Sequence, residues 1–420
     1  MFRFTPATVS GSQVGMKKDL RYTPALPRGL SSAGYTLRYN IKFTPSVMGM
    51  ETRSKSSKFT PVWAMNKNND PDTEFEGFTL DWWTDTAIFN YDALLVSAFY
   101  GLDHPDFREY YGIPRDNFIF VGDSGGYQIW TQKVQIEPTD ILRWQENNVD
   151  IGLTLDVPPP SPVVNWKDFE YAAKQTYRNS EIMHRNRQSE DILMYKVIQG
   201  DNQKEMDYWW DVMSDLEFDG ISIAPRPPNA EKMAIGLGFA MSKGVKNIHV
   251  LLGTGGGTIP TIIYARKYFD LLTVDSSSFS SAGAIYRSYY LPFNISQTLA
   301  FGKQFNGELK ELPCDCPVCQ VSSVKDMNLT KNDQDTGGRS MASISGGLIA
   351  LHNLYMVLRH HHFLEKLSDD RENFISYLRT QGLDEAIAGI EFLDSVNERG
   401  FEDVYKEKYE HESFNDWWAQ

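Results

Sequence analysis

A chain of 420 residues with 41% hydrophobic side chains is long enough for one large domain with additions, or for two ordinary ones, and has the composition of a globular protein with a full core. The formal net charge of −14 argues against indiscriminate nucleic-acid binding. No apolar run is long enough to span a bilayer and the first residues lack a signal-peptide core, so no membrane partner and a cytoplasmic location are expected.

Residues 1–75 are rich in Pro, Ser, Thr and Gly, and an aromatic-Thr-Pro tripeptide recurs at Phe4, Tyr22, Phe43 and Phe59. Backbone before proline is pushed to extended conformations, so short irregular strands are expected here, forming a small antiparallel sheet over one end of the main domain. The spacing is too irregular for a solenoid. Residues 1–60 set ten basic side chains against Asp19 and Glu51, which permits a local phosphate-binding face around Lys17, Lys18 and Arg21.

From about Tyr91 a regular alternation begins. Ala93–Phe99 reads as a strand. Phe118–Val121 is a short aromatic and β-branched run, too short for a helix, that opens at Gly122 and Asp123 into Ser124-Gly125-Gly126. Strands are predicted at Ile151–Asp156, Leu193–Gln199, Gly220–Ala224, Asn247–Gly253 and Leu271–Asp275, with helices at 138–149, 168–186, 204–216, 230–243 and 259–268. Ser288–Asn294 is a candidate last strand. So many strand–helix units in series predict a (β/α)8 TIM barrel in preference to a doubly wound sheet. The expected organisation is an N-terminal β-rich extension (1–90) and a barrel (91–365). A zinc-binding subdomain is inserted at about 300–365, and a C-terminal helical tail (366–420) follows.

Asp123, Asp156, Gln199 and Asp275 each end a strand-like run, which in a barrel would turn all four into one mouth. Singly, each reads equally well as a helix cap or turn residue. Asp123 and Asp275 are the pair suited to covalent catalysis: one carboxylate attacks an anomeric carbon while a second carboxyl handles the leaving group's proton. Cys314, Cys316 and Cys319 contain all the cysteines, which excludes a disulfide framework. With a histidine they make a closed tetrahedral zinc site of the structural kind. His352 is the candidate fourth ligand, and His360, His361 and His362 compete with it.

Asp123-Ser-Gly-Gly-Tyr-Gln128 resembles the Asp-Ser-Gly-Gly-Phe-Gln motif of the tRNA-guanine transglycosylase family. The Cys-x-Cys-x2-Cys run followed by His352-Asn-Leu is similar to that family's zinc signature. Val197-Ile-Gln199-Gly and Asp219-Gly-Ile-Ser-Ile-Ala224 resemble two of its base-binding segments. The resemblance covers roughly residues 90–365. It implies a zinc-bearing barrel that exchanges guanine for a 7-deazaguanine such as preQ0 by double displacement. Asp275 would be the nucleophile on C1′ and Asp123 the general acid/base. Base contacts would come from Asp156, Gln199, Gly220 and Ile221, and from Ser124 and Gly125 of the motif. After Asp275 the chain reads Ser276-Ser-Ser-Phe-Ser-Ser-Ala-Gly283, closer to the archaeal than to the bacterial style, and nothing in the tail looks like the RNA-binding domains of archaeal enzymes. The pattern is similar to bacteriophage-type transglycosylases that place 7-deazaguanines in DNA. DNA is therefore the expected polymer, with tRNA the alternative, a host's cytoplasm the location for a viral protein, and a homodimer one compatible assembly. A non-catalytic partner subunit would tolerate loss of Asp123 or Asp275, and this chain keeps both.

Overall fold

A computed structural model of the chain describes residues 41–45, 82–83 and 87–410, apart from 103, 127–134, 161–162, 164, 252–256, 277, 281, 284–285, 293, 302–306, 308 and 329–340. Among the described residues eight strands share one sheet: β1 (Ile41–Pro45), β2 (Ala93–Ser97), β3 (Ile119–Asp123), β4 (Ile151–Leu153), β5 (Leu193–Ile198), β6 (Gly220–Ile223), β7 (Asn247–Val250) and β8 (Leu271–Ser276). All their pairings are parallel, and their spatial order is β1-β8-β7-β6-β5-β4-β3-β2. The two edge strands, β1 and β2, lie side by side, so the sheet rolls into a nearly closed (β/α)8 barrel. Helices Pro138–Asn148, Trp166–Asn186, Gln203–Val212, Ala230–Ser242 and Thr258–Ala265 make the crossovers between β3 and β8.

Alternation along each strand divides the core in two. Leu95, Val121, Ile151, Leu153, Tyr195 and Val197 form a small cluster of their own inside the barrel. Their chain neighbours Leu94, Val96, Phe120, Met194 and Ile198 join the larger core beneath the helices. Buried polar groups lock strand to helix. Gln145 Nε2 donates to the carbonyls of Gly122 and Leu153, both at 2.9 Å. Trp209 Nε1 donates to Val197 O at 2.9 Å. Aspartates just ahead of strands tie the opposite end: Asp150 accepts from Phe120 N at 2.7 Å, and Asp219 from Met194 N at 2.8 Å. At the other end Asn165, Asn202 and Asn229 cap three helices by accepting from backbone N–H groups, each cap worth about 1 kcal/mol.

The eighth barrel strand is not Ser288–Asn294. That segment supplies β9 (Ser288–Leu291), which pairs antiparallel with β10 (Asn294–Ala300) in a separate two-stranded sheet. The barrel instead takes β1 from upstream, and β1 carries one of the aromatic-Thr-Pro tripeptides: Phe43 pairs with Val274, Thr44 with Asp275 and Pro45 with Ser276. Proline lacks an N–H and is tolerated at the strand's last position. The other tripeptides, the basic cluster at Lys17, Lys18 and Arg21, and the small sheet expected there lie outside the described residues.

The C-terminal region is helical: Met341–Leu367, Arg371–Thr380, Asp384–Arg399 and Phe401–Tyr405. It clamps onto the barrel's outer helices. Asp394 accepts from Tyr264 Oη at 2.7 Å, Tyr268 Oη at 3.0 Å and Arg371 Nε at 2.6 Å. Among the described residues no helix is long and apolar enough to cross a membrane.

Candidate active site and metal centre

Parallel strands put every C-terminal end on one rim, and the polar residues that end them meet there. Asp123 closes β3, Asp156 follows β4, Gln199 follows β5, and Asp275 is the penultimate residue of β8. Asp156, Gln199 and Asp275 are buried, while Asp123 keeps some solvent contact. Gln199 Nε2 donates to Asp156 Oδ2 at 2.7 Å. Burial, followed by the charge of Asp156, pushes the Asp123 carboxyl up to about 6. The Gly125 N–H, donating to Asp123 Oδ2 at 3.1 Å, works against that rise. Burial also raises the Asp156 carboxyl, opposed by Gln199 and by the charge of Arg226.

The glycines beside Asp123 are required by space. Gly125 sits at φ +81°, and a Cβ there would meet Phe99 Cβ at 2.5 Å and Ser97 Oγ at 2.9 Å. A Cβ on Gly126 would overlap the Asp156 main-chain carbonyl. Ser124 is fully buried between these groups. Tyr127 and Gln128 of the same motif lie outside the described residues.

Gly220 and Ile221 are not brought to this rim. They are the first two residues of β6, ahead of the strand end that reaches the rim, and Gly220 pairs with Tyr195 and Ile221 with Ile248. What β6 delivers to the rim is the loop that follows it, and with it Arg226, a residue the sequence did not single out. Arg226 Nη2 donates to Gln199 Oε1 at 3.0 Å, Nη1 to Pro159 O at 3.1 Å, and its backbone N–H to Asp201 Oδ1 at 2.7 Å. Arg226 thus fixes the Gln199 amide, whose nitrogen is turned to Asp156. The available cue was a lone cation in an Ala-Pro-Arg-Pro-Pro loop at the catalytic end of a barrel strand.

A second cluster lies apart from this rim. One donor atom from each of Cys314, Cys316, Cys319 and His352 falls within 4.8 Å of every other. Cys316 Sγ and Cys319 Sγ are each 3.3 Å from His352 Nδ1. His352 Nε2 donates to Tyr290 O at 2.8 Å, which leaves Nδ1 as the bare ligand nitrogen, the usual arrangement behind a metal-bound imidazole. The Tyr289 ring stacks on His352 at 3.7 Å between centroids. Three sulfurs and one nitrogen at these separations fit a tetrahedral metal ion. His360, His361 and His362 are outside the cluster; burial pushes their imidazoles down, to about 4, 3 and 3.

Fold and site together define a (β/α)8 protein with a carboxylate-lined rim and a Cys3His cluster able to hold a metal. No family model matches the chain. It is 27% identical over 252 residues to the tRNA-guanine(15) transglycosylase of Methanococcus aeolicus, a match covering 57% of this chain and 35% of that one. It is 27% identical over 263 residues to the enzyme of that name from Saccharolobus solfataricus, covering 58% of this chain and 46% of that one. The Korarchaeum cryptofilum protein of the same name is 25% identical over 244 residues, covering 57% and 38%. By these matches the chain is similar to curated tRNA-guanine(15) transglycosylases. It spans less than half the length of these curated relatives.

Proposed function

We propose that the chain is a guanine transglycosylase, a pentosyltransferase that exchanges guanine in a polynucleotide for a 7-deazaguanine base by double displacement. The observation that carries this reading is the gathering of Asp123, Asp156 and Gln199 on the rim that also bears Asp275. A carboxylate oxygen of Asp275 adds to C1′ as the bond from C1′ to the base nitrogen breaks. The electron pair leaves with guanine, which takes a proton from Asp123. The incoming base then gives its N–H proton back to Asp123 and attacks C1′, expelling Asp275. A carboxyl pushed up to about 6 suits a group that must both give and take that proton near neutrality. Formation of the covalent intermediate should accordingly slow as pH rises above about 6, where Asp123 loses its proton, and Asp123→Asn should remove that limb of the profile. A limb that persists in the variant would move the acid elsewhere.

Asp156 and Gln199 are the base-binding pair in this reading. Asp156 offers acceptors to adjacent N–H groups of a guanine-like edge. Asp156→Ala and Gln199→Ala should each weaken free-base binding about 10- to 100-fold with the fold retained, since a buried site built to hydrogen-bond suffers when one partner is removed. Unchanged affinity by calorimetry in both variants would place the pocket elsewhere.

Zn2+ held by Cys314, Cys316, Cys319 and His352 would be structural, because four protein donors leave no open position for substrate. The relatives' names favour tRNA over the DNA expected from the sequence. Labelled guanine offered with tRNA, single-stranded DNA and duplex DNA at one salt concentration should be retained by tRNA. Retention by either DNA with none in tRNA would restore the DNA reading.

A further inference from the structure

We propose that His249 is a positioning residue for the Asp275 carboxylate, holding one carboxylate oxygen from inside the barrel so that the other faces the sugar. This rests on the reading of Asp275 as nucleophile. His249 lies in β7 and is fully buried. Its register partner on β8 is Thr273, and His249 Nδ1 is 2.8 Å from Thr273 Oγ1. Two residues along the same face of β8 stands Asp275, with Oδ1 3.7 Å from His249 Nε2. Nε2 is buried and has no hydrogen-bond partner among the described residues. Its neighbours in the sheet are Ser222 on β6 and Thr273 on β8, and a buried imidazole nitrogen without a partner is costly.

Burial pushes the imidazole down to about 3, so the ring is neutral and carries one proton. The partners decide where it sits. With the proton on Nδ1, the bare lone pair of Nε2 would face a carboxylate oxygen, which is repulsive. With Thr273 Oγ1 donating to Nδ1, the proton sits on Nε2 and faces Asp275. The second arrangement is favoured on electrostatic grounds. At 3.7 Å the contact is a charge–dipole one, longer than a hydrogen bond. Such contacts often tighten once substrate is bound. The proton stays on His249 throughout; its role is to orient Asp275 and to favour the anion that attacks and is later expelled.

The test separates covalent chemistry from base binding. Wild type, His249→Leu, His249→Gln and Thr273→Val are mixed in turn with tRNA, single-stranded DNA and duplex DNA, and the rate of denaturation-resistant adduct formation is followed. Affinity for free guanine is measured in parallel. His249→Leu should slow adduct formation about 10- to 100-fold, with base affinity within about twofold. His249→Gln, which returns an N–H donor near Nε2, should recover most of the rate. Thr273→Val should slow it severalfold, by freeing the wrong tautomer. Adduct formation at the wild-type rate in His249→Leu overturns the proposal. If that variant does not fold, an unchanged rate in Thr273→Val overturns it. Equal loss of adduct and base binding in the Leu and Gln variants would assign His249 a packing role instead. Wild type forming no adduct on any of the three polymers would overturn the nucleophile assignment itself, a result distinct from all the others.

Discussion

Asp275→Asn is expected to lower base exchange by a factor on the order of 1,000 or more while leaving base affinity nearly unchanged. Asparagine matches aspartate in shape but has no charge with which to attack C1′. Asp275 sits on a strand paired on both sides, to β1 through Thr44 and to β7 through the adjoining Val274–Val250 pair, so the backbone under the substitution is held in place. Wild type should give a covalent adduct with its polynucleotide that survives denaturing electrophoresis, and Asp275→Asn should give none. A variant that turns over at a near-normal rate would end the assignment of Asp275 as nucleophile.

Cys316→Ala should strip the metal and the local fold together. Binding of structural zinc is coupled to folding and is worth about 10–16 kcal/mol in small domains, so losing one of four donors removes several kcal/mol. Cys316 is fully buried and caps the short helix Pro317–Val321, its sulfur accepting from Cys319 N at 3.4 Å. Metal content measured by atomic emission and a lowered Tm should report the loss together. His352→Ala should act in the same way, whereas His360→Ala should keep its metal, because His360 lies outside the cluster. Full zinc occupancy with an unchanged Tm in Cys316→Ala would refute the structural role.

The strands from Ala93 to Ser276 were legible because each is an apolar, β-branched run bounded by glycine or a polar residue, and because helices of regular length separate them. The polar residues closing Phe118–Asp123, Leu193–Gln199 and Leu271–Asp275 were legible for the same reason: a charge or amide breaking an apolar run is conspicuous. β1 was not legible. Five residues, Ile41–Pro45, lie far from the strand–helix alternation, and nothing local says that they pair with β8. Ser288–Asn294 has a strand's alternation, but alternation does not reveal the partner, and its partner is β10. Gly220 was expected at the base because of its motif; it is the first residue of β6, at the end of that strand away from the rim. Arg226 and His249 gain meaning only from what they touch across the fold. The cysteine spacing announced a cluster able to hold a metal, whereas the choice of His352 over His360, His361 and His362 depended on which face of one helix meets the cysteines.

The insertion of β1 beside β8 has a kinetic consequence. Thr44 and Asp275 pair across about 230 residues of chain, a non-local contact whose loop-closure entropy must be met before it forms and which slows folding. During synthesis β1 leaves the ribosome early and has no neighbour on the β8 side until that strand emerges, so the barrel is sealed late and at a single seam. The strand that forms the seam is the one bearing Asp275. An opening of β1 alone would free one flank of that strand while the pairings from β2 to β8 persisted. The rim would then lose the β1 support beside Asp275 well before the protein lost its fold.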